Sequence, residues 1–424
     1  MRIVFSTYGT FGDVNPLIAL SLELKRRGHK PVLAIPEMFR AKVEPLGIEF
    51  APVRPEQDPN DTRLIAMIYD IKHGTETGLR KFLFPSLRES YEDLLAAVEA
   101  DGGADLLVTG ELAYAGPIVA EKTGVPWASY VLAPFSFFSG YDPPVLPPYP
   151  TLARVQEAVP PLGHVVARFA RLVTRKWPEP VYALREELGL TRGKDPIFDA
   201  KHAESLVLAL YSRVMGEPQP DWPPSVKVTG FPFYDGTGSE GALPGDLAAF
   251  MDAGPAPLVF TLGSAAVMHA GDFYQQSAEA AESLGQRAVL LIGADDRNLP
   301  KRRLPETICV ARYAPYSQIF PRASVVIHQA GIGTTAQALR AGRPMLVMPY
   351  SHDQPDNARR VRKLGVAEVL GRTKYKAKPA AQLIRKLLSD PAYVTRATAA
   401  AAKIVAENGA VAACDALERM PKRR

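Results

Sequence analysis

Short apolar runs alternate with segments of helical periodicity along most of this chain. The run RIVFS at the N-terminus predicts a buried strand, and Leu17, Leu20 and Leu24 then recur at helical spacing until Gly28. Asn15-Pro16 predicts the start of that helix. KPVLAIP, IEFAPV, ADLLVTG and PWASYVLA predict further strands, with helices expected over 37–46 and 116–123. Such alternation indicates a parallel α/β sheet with helices on both faces.

The second half repeats this order. PLVFTLGS, AVLLIG, ICVARY, SVVIHQ and PMLVMPY predict strands, while YDGTGSEGALPGD has the composition of an interdomain linker. The chain has 424 residues, which is longer than a single hydrophobic core usually organises. We therefore expect two Rossmann-like doubly wound domains, 1–235 and 236–424, facing each other across a cleft. The alanine-rich stretch 392–420 predicts a last helix that packs back on the N-terminal domain.

An aromatic and helical insertion is predicted over about 135–180. The stretch PFSFFSGYDPPVLPPYP is rich in aromatic and proline residues, and a helical segment follows it. These aromatics fit a pocket for a flat apolar molecule, and ordinary core packing explains them equally well. If the aromatics do form such a pocket, the residues expected to contact the acceptor molecule are Phe11, Phe135, Phe138 and Tyr141.

Composition narrows the class of protein. The net charge of +5 is small for this length, and the basic residues are scattered apart from 301–303 and the terminal KRR. Nucleic acid is therefore not an expected partner, whereas contact of a basic run or of FSFF with a membrane surface stays open. Two cysteines exclude a disulfide framework, and no apolar run of about 18 residues occurs, so a cytoplasmic protein is expected. The sequence gives no indication of oligomeric state.

The segment HQAGIGTT lies where a predicted strand ends and a helix begins. Gly331 and Gly333 allow a ligand to approach the backbone, and the amides of Thr334 and Thr335 at the helix N-terminus attract a phosphate. A tight turn with threonine caps is the alternative. The glycine spacing of this segment does not match G-x-G-x-x-G, and the chain has no G-K-[ST], which argues against a dinucleotide or P-loop site here.

Polar and aromatic side chains follow two other predicted strands of this half. Asp353 and Gln354 come after PMLVMPY, where a carboxylate beside an amide suits several sugar hydroxyls, although an Asp-Gln-Pro turn explains the pair as well. Tyr313 ends ICVARY and either stacks on a base or packs internally.

Two carboxylates hold comparable positions in the first half. Asp13 follows the glycine turn after the first strand, where it fits either a general base for an acceptor hydroxyl or a helix cap. Glu111 in VTGELAYAG either assists that base or is a solvated or capping carboxylate.

Together these motifs resemble the GT-B nucleotide-sugar-dependent glycosyltransferases, which include natural-product, sterol and glycopeptide-antibiotic enzymes. The similarity rests on GTFGDVNPLIALSLELKRRGH in the first half and on YAP, HQAGIGTTAQALRAGRP and PYSHDQPDNA in the second. The resemblance implies that Asp13 is the base. On the donor side it implies a base contact from Tyr313 and Ala314, diphosphate contacts from Ser264, Gly333, Thr334 and Thr335, and sugar contacts from Asp353 and Gln354.

The chain departs from the family pattern at two positions. Gln329 stands where most members have a histidine that contacts the phosphate, with His328 one residue before it, and Gln337 stands where many have a glutamate for the ribose hydroxyls. Either glutamine can still form hydrogen bonds, but a carboxylate at the ribose is lost. We therefore expect either weaker nucleotide binding or altered nucleotide selectivity, with His328 as an alternative phosphate contact.

The resemblance implies an inverting hexosyltransferase. A UDP- or dTDP-sugar is the expected co-substrate, a natural-product aglycone or sterol-like molecule the acceptor, and neither a cofactor nor a metal is expected. Two rivals remain: a sugar-nucleotide epimerase of the same fold, and a non-catalytic glycosyltransferase-like auxiliary protein, to which Gln329 and Gln337 lend weight.

Overall fold

The computed structural model describes residues 1–56, 58, 61–159, 161–236 and 241–421. Contacts divide the chain into two compact units, one formed by Met1–Tyr234 together with the chain from Glu407 onward, and the other by Asp235–Ala406. Each unit contains one parallel sheet with helices, which confirms the predicted fold class. The expected linker near Gly236 includes residues 237–240 and the basic tail includes 422–424, all outside the described residues.

The first unit is built on a seven-stranded parallel sheet in the order β3-β2-β1-β4-β5-β6-β7. The order reverses between β1 and β4, so the loops after these two strands meet at the switch point of a doubly wound sheet. Its strands are β1 (Arg2–Ser6), β2 (Lys30–Ile35), β3 (Glu49–Pro52), β4 (Leu106–Gly110), β5 (Trp127–Val131), β6 (Val207–Ala209) and β7 (Val226–Val228).

Helices cover both faces of this sheet. Side chains of β1 alternate between them: Ile3 and Phe5 enter one core cluster and Val4 the other. The α-helices are α1 (Phe11–Arg26), α2 (Arg40–Val43), α3 (Thr62–Ile68), α4 (Gly74–Thr77), α5 (Leu87–Glu99), α6 (Ala115–Thr123), α7 (Leu152–Ala158), α8 (Pro161–Thr174) and α9 (Glu179–Glu187). Helical turns of other types span Glu37–Phe39, Glu44–Leu46, Gly78–Leu83, Phe84–Ser86, Ala100–Gly102 and Pro134–Phe137.

Helix α1 begins at Phe11, so the predicted start at Asn15-Pro16 was wrong. The hydroxyl of Thr10 accepts the Gly12 amide, and the Asp13 carboxylate accepts the Thr10 amide at 2.7 Å, which closes a capping box. Pro16 lies inside the helix. The helix predicted over 37–46 is also interrupted: α2 is flanked by two short 3-10 turns, and Pro45 has no N–H with which to continue the α-helix.

The second unit contains a six-stranded parallel sheet in the order β10-β9-β8-β11-β12-β13. Its switch point lies between β8 and β11. The strands are β8 (Leu258–Thr261), β9 (Ala288–Leu291), β10 (Ile308–Ala311), β11 (Val325–His328), β12 (Met345–Val347) and β13 (Ala367–Val369), the last of which was not predicted.

Helices of several lengths flank the second sheet. The α-helices are α10 (Gly245–Asp252), α11 (Gly263–Ala266), α12 (Phe273–Ser283), α13 (Tyr316–Ile319), α14 (Ile332–Arg340), α15 (Gln354–Lys363), α16 (Ala377–Ser389) and α17 (Pro391–Ala406). Short 3-10 turns span Val267–His269, Asp296–Asn298, Phe320–Arg322 and Arg372–Lys374.

The alanine-rich C-terminal stretch forms two helices rather than one. Helix α17 ends at Ala406, and Asn408 caps α18 (Gly409–Glu418) by accepting the Val411 amide. Helix α18 belongs to the first unit and packs against α1 there. Within the described part of the chain, no helix combines the length and the apolar character needed to cross a membrane.

Candidate active site

Asp13 lies at the switch point of the first sheet, in the first turn of α1. The preceding loop turns at Gly9, whose φ of 138° favours glycine and where a Cβ would collide with the Asp13 carboxylate. One oxygen of the half-buried carboxylate accepts the Thr10 amide at 2.7 Å and the Thr10 hydroxyl at 3.2 Å. Asp13 therefore takes part in capping from inside the first turn, with Thr10 as the N-cap, whereas the capping interpretation placed Asp13 ahead of the helix.

The surroundings of Asp13 also change its acidity. Burial raises the pKa of the carboxyl group to about 6; the Thr10 hydrogen bonds oppose the shift, and the negative charge of Glu111 adds to it. At neutral pH the group is thus ionised but a far better proton acceptor than an exposed aspartate. Capping and proton transfer are compatible at this residue.

Glu111 follows β4, on the other side of the same switch point. Its two oxygens accept hydrogen bonds from the Ser136 hydroxyl at 2.7 Å and from the Lys201 ammonium at 2.9 Å. Burial favours the neutral acid, but the charge and hydrogen bond of Lys201 and the bond from Ser136 outweigh it and lower the pKa of Glu111. Glu111 is therefore a fixed negative charge that acts on Asp13 through space.

A cavity of about 560 Å³ opens beside Glu111 in the first unit. Glu111, Lys201 and His202 contribute polar groups to its wall, while Tyr114 and Trp127 contribute aromatic rings. The indole of Trp127 is fixed by donating to the Thr109 hydroxyl at 2.8 Å. A partly apolar cavity with a few fixed polar groups is typical of a small-molecule site.

The four aromatic residues predicted to contact an acceptor do not line this cavity. Phe138 packs against Phe135 and against Phe198, with ring centroids 5.9 and 5.2 Å apart. Phe11 lies at the start of α1, edge-on to Phe39, and Tyr141 contacts His164 of α8. Of the residues predicted for the first unit's site, Glu111 alone lines the cavity.

The glycine loop of the second unit joins β11 to α14 at the second switch point. Gly331 is the N-cap and offers no side chain to the helix, so the amides of Ile332, Gly333 and Thr334 have no acceptor within α14. Gly333 is exposed, and a Cβ there would meet open space. Ala330 turns the chain with a φ of 66°. This helix terminus is suited to an anion.

Three buried side chains of this loop and helix carry polar atoms that lack a hydrogen-bond partner among the described residues. The atoms are His328 Nε2, Gln329 Oε1 and Thr335 Oγ1. The Ala330 amide donates to His328 Nδ1 at 3.1 Å, which places the proton of the neutral ring on Nε2. Burial lowers the pKa of His328 to about 3, so this histidine brings a hydrogen-bond donor but no charge.

Gln337, at a position where the family often has glutamate, lies beside another carboxylate. Its amide nitrogen donates to Asp235 at 3.1 Å, and the Arg340 guanidinium donates to the same Asp235 oxygen at 2.6 Å and to Gln337 at 2.8 Å. Asp235, at the start of the second unit, thus places a carboxylate beside the uncharged side chain of Gln337.

The predicted sugar-binding pair lies at the start of α15. Asp353 is half-buried, and one of its oxygens accepts from Asn357 Nδ2 at 2.6 Å; Gln354 Oε1 accepts the Tyr350 amide at 2.9 Å. Asn357 Nδ2 also donates to the carbonyl of Ala330 in the glycine loop at 3.0 Å. One buried asparagine therefore joins the loop after β11 to the loop after β12.

The other predicted donor residues lie near strand ends. Tyr313 is 59% exposed after β10 and presents a ring surface, whereas Ala314 is fully buried. Ser264 is exposed in the short helix α11 after β8. Gly263 before it has a φ of 66°, and a Cβ there would collide with the Gln329 amide, so the β8 and β11 loops touch.

Several residues of these sites were missed from the sequence. In the first unit they are Ser136, Lys201 and His202, and in the second they are Asp235, Arg340 and Asn357. Lys201 is 90 residues from Glu111, and Asp235 is 102 residues from Gln337. Arg340 and Asn357 stood within motifs quoted from the sequence, but neither was assigned a role there.

Comparison with known proteins decides the family. Residues 3–136 match the glycosyltransferase family 28 N-terminal domain, and residues 278–419 match the C-terminal domain of the erythromycin biosynthesis protein CIII-like family. Over its whole length, the chain is 30% identical to the O-mycaminosyltylonolide 6-deoxyallosyltransferase of Streptomyces fradiae, covering 98% of that protein. The chain belongs to the GT-B glycosyltransferases.

Other similarities of this glycosyltransferase agree with the assignment. Glycosyltransferase GtfE of Amycolatopsis orientalis is 30% identical over 86% of the chain and 85% of that protein. The glycotransferase of kitacinnamycin has the same fold, with a TM-score of 0.75, 21% identity and 99% of both chains covered. So does the spinosyn rhamnosyltransferase SpnG in a complex with thymidine diphosphate, with a TM-score of 0.70, 19% identity, and 99% of this chain and all of that one covered. The predicted family is confirmed.

Proposed function

We propose that this glycosyltransferase moves a hexose from a nucleoside-diphosphate sugar to a hydroxyl group of a hydrophobic small molecule, with inversion at the anomeric carbon. The observation that carries the proposal is Asp13, a carboxylate with a pKa raised to about 6 at the switch point of the first sheet. A base with this pKa is matched to removing a hydroxyl proton near neutral pH.

The reaction proposed is a direct displacement. The acceptor oxygen attacks the anomeric carbon while its proton passes to Asp13, and the bond from that carbon to the diphosphate oxygen breaks. Orientation of the two substrates supplies much of the rate increase. Glu111, held ionised by Lys201, keeps Asp13 basic by its negative charge.

The second unit is proposed to hold the donor. The amides at the start of α14 and the Nε2 proton of His328 suit the diphosphate, whose negative charge grows as it leaves. Tyr313 is proposed to stack on the base, Ser264 to contact the phosphates, and Asp353 with Gln354 to bind sugar hydroxyls. We propose that Asp235 replaces the carboxylate absent at Gln337. In the described part of the chain, no three His, Cys, Asp or Glu side chains lie together as metal ligands.

The acceptor is proposed to be an apolar natural product whose body enters the cavity beside Glu111 and whose reacting hydroxyl extends out of that cavity toward Asp13. The S. fradiae relative is named for transfer of a 6-deoxyallosyl group to O-mycaminosyltylonolide, and a solved structure of spinosyn rhamnosyltransferase SpnG is a complex with a spinosyn aglycone. These names support a bulky aglycone, and the thymidine diphosphate complex supports a dTDP-sugar as the first donor to test.

Replacement of Asp13 by Asn tests the proposal. Asn keeps an oxygen that accepts the Thr10 amide but cannot take a proton, so kcat should fall by roughly 100-fold or more while donor affinity is unchanged. Turnover is followed as nucleoside diphosphate released with an aglycone panel, and donor affinity by calorimetry. Asp61→Asn is the control, because Asp61 caps α3 by accepting the amides of Arg63 and Leu64 and has no place in the proposed site.

Three outcomes contradict parts of the proposal. Full turnover in Asp13→Asn would make Asp13 a cap alone. Conversion of the donor to an isomeric sugar nucleotide without an acceptor would identify an epimerase. Donor binding without release of nucleoside diphosphate, whatever the acceptor, would favour an auxiliary protein.

A further inference from the structure

Exposed apolar side chains are concentrated in one segment of the first unit, residues 141–173. Of the 16 large hydrophobic side chains that are exposed in the described part of the chain, eight lie in this segment: Tyr141, Tyr149, Val155, Val159, Val165, Phe169, Leu172 and Val173. None of them lines the cavity beside Glu111. A concentration of apolar groups on the surface marks a site of contact with another molecule.

The centre of this surface is one stripe along α8, which we call the α8 stripe: Val165, Phe169, Leu172 and Val173. Their spacing of four, three and one residues places them on one side of the helix, and they are between 56% and 62% exposed. The opposite side is fixed, because Gly163 packs so closely on the backbone of Gly140 that a Cβ would collide with it. The stripe is therefore turned outward by the packing of α8 itself.

Basic side chains border the stripe. At 100° per residue, Arg168 lies along one edge of it, and Arg175 and Lys176 follow the stripe in the turn after the end of α8 at Thr174. None of these three forms an ion pair with a carboxylate in the described ranges. Arg171, by contrast, is held by Asp199 at 2.6 Å and lies over the ring of Phe198.

We propose that the α8 stripe docks the protein on an anionic lipid bilayer. Val165, Phe169, Leu172 and Val173 enter the boundary between headgroups and acyl chains, while Arg168, Arg175 and Lys176 stay at the level of the lipid phosphates. A helix with an apolar stripe edged by Lys and Arg lies in the plane of the membrane surface in this way. The proposal goes beyond the glycosyl transfer and does not rest on it.

The charge distribution selects this occupant over others. In a symmetric contact between two copies whose α8 helices pack antiparallel, the basic edges would lie on the same side of the contact, so positive charges would be brought together. A stripe on the outside of a helix cannot enclose a small molecule as a cavity does. FSFF, the membrane contact considered from the sequence, is packed internally: Phe137 stacks on Trp222 with centroids 4.1 Å apart.

Vesicle flotation of the full-length protein tests the proposal. Wild-type protein should float with vesicles of phosphatidylcholine and phosphatidylglycerol and remain at the bottom with phosphatidylcholine alone. Phe169→Ser with Leu172→Ser should lower the partition coefficient on the order of 100-fold, because each buried apolar side chain contributes about 1.5–3 kcal/mol. A triple variant should lower the partition coefficient by a similar factor, because each positive charge contributes about 1 kcal/mol at an anionic surface: Arg168→Gln, Arg175→Gln and Lys176→Gln. Added salt should also lower the partition coefficient.

The matched control carries Val394→Ser and Val405→Ser, two exposed positions on α17 that are 43% and 66% accessible. This variant should float like the wild type. If a stripe variant fails to fold, by circular dichroism and thermal melting, the charge variant still decides the question.

Three results would overturn the proposal: no flotation with anionic vesicles, flotation of the folded stripe or charge variants equal to the wild type, or equal flotation of the wild type with neutral and anionic vesicles. A wild-type dimer that the stripe variant converts to a monomer in light scattering, without vesicle binding, would instead assign the stripe to self-association. Absence of both behaviours would leave a protein partner as the occupant.

Discussion

At the scale of single residues, the first unit holds two carboxylates in contrasting environments. Burial and the charge of Glu111 raise the pKa of Asp13, whereas Lys201 and Ser136 stabilise Glu111 as an anion against its own burial. Groups whose surroundings separate their pKa values are typical of a divided acid–base role. One carboxylate is thereby able to exchange a proton near neutral pH while the other keeps its charge.

Replacing Glu111 by Gln should move the acid limb of the pH profile. The change removes the negative charge that raises the pKa of Asp13 and leaves the Lys201 ammonium without its partner, so the pKa of Asp13 falls. Because Asp13 is proposed to act as the carboxylate, activity is lost as pH drops through its pKa. The acid limb of kcat/KM, near pH 6 in the wild type, should therefore shift to lower pH by roughly half a unit or more.

Glu121→Gln provides the control for this experiment. Glu121 lines the same cavity but pairs with Arg185 at 2.7 Å and is not among the charges that act on Asp13. The acid limb of kcat/KM in Glu121→Gln should stay at the same pH as in the wild type. A limb that moves to higher pH in Glu111→Gln, or moves equally in both variants, would contradict the electrostatic role of Glu111.

Residue positions after strands could be predicted, but the side-chain partners could not. Each of three carboxylates comes after an apolar run: Asp13, Glu111 and Asp353. Because all the strands of a parallel sheet end at the same edge, the sequence could predict that each carboxylate lies at the carboxyl edge of its own sheet. The Lys201 that fixes Glu111 is 90 residues away and follows no motif. The expected loss of a carboxylate at Gln337 likewise could not take account of Asp235, because nothing local couples the two.

At the scale of elements, the loops before α14 and α15 are held together by Asn357. Its amide nitrogen donates to the Ala330 carbonyl and to Asp353, so the proposed phosphate-binding and sugar-binding loops share one buried bridge. Local patterns do predict each loop: an apolar strand, a turn and a helix start. The bridge between them depends on tertiary packing, as does the start of α1, where Thr10 and Asp13 cap the helix four residues before Asn15-Pro16.

Asn357→Ala should weaken donor binding more than it slows the chemical step. The change leaves the Ala330 carbonyl and an Asp353 oxygen without this donor, a cost of roughly 1–3 kcal/mol that loosens the relative placement of the two loops. We expect KM for the donor and its Kd by calorimetry to rise by about 10-fold, with a smaller change in kcat.

Asn298→Ala separates this positioning effect from a general loss of stability. Asn298 is also buried, in the same unit, and its amide nitrogen donates to the carbonyls of Val267 and Ile292, both at 2.9 Å. Asn298→Ala should lower the melting temperature about as much as Asn357→Ala does, while leaving the Kd for the donor near the wild-type value. Equal weakening of donor binding in both variants would argue against a specific role for Asn357.

At the scale of the whole molecule, the chain returns at its end to the unit in which it began. The sequence predicted a helical C-terminal stretch and its contact with the N-terminal domain, but not the break between α17 and α18, because alanine-rich periodicity continues through it. The contact depends on Arg27 at the end of α1, which binds Asp415 and Glu418 at 2.7 Å across separations of 388 and 391 residues. Cys414 of α18 is fully buried in the core beneath.

Arg27→Met should loosen α18 specifically. Arg27 is only 15% exposed and also binds Glu23 at 2.8 Å, so its loss leaves three carboxylates, Glu23, Asp415 and Glu418, without a common cation. For ion pairs that are partly buried, we expect a cost of about 2 kcal/mol. Hydrogen exchange should accelerate in α18 and the last turn of α1, with little change in peptides of the second unit.

Arg26→Met is the matched control, because Arg26 binds the same Glu23 but is 70% exposed, and it should leave exchange in α18 near the wild-type rate. If both variants accelerate α18 equally, or neither does, the Arg27 network does not hold the C-terminal helix, and apolar burial around Cys414 must do so alone.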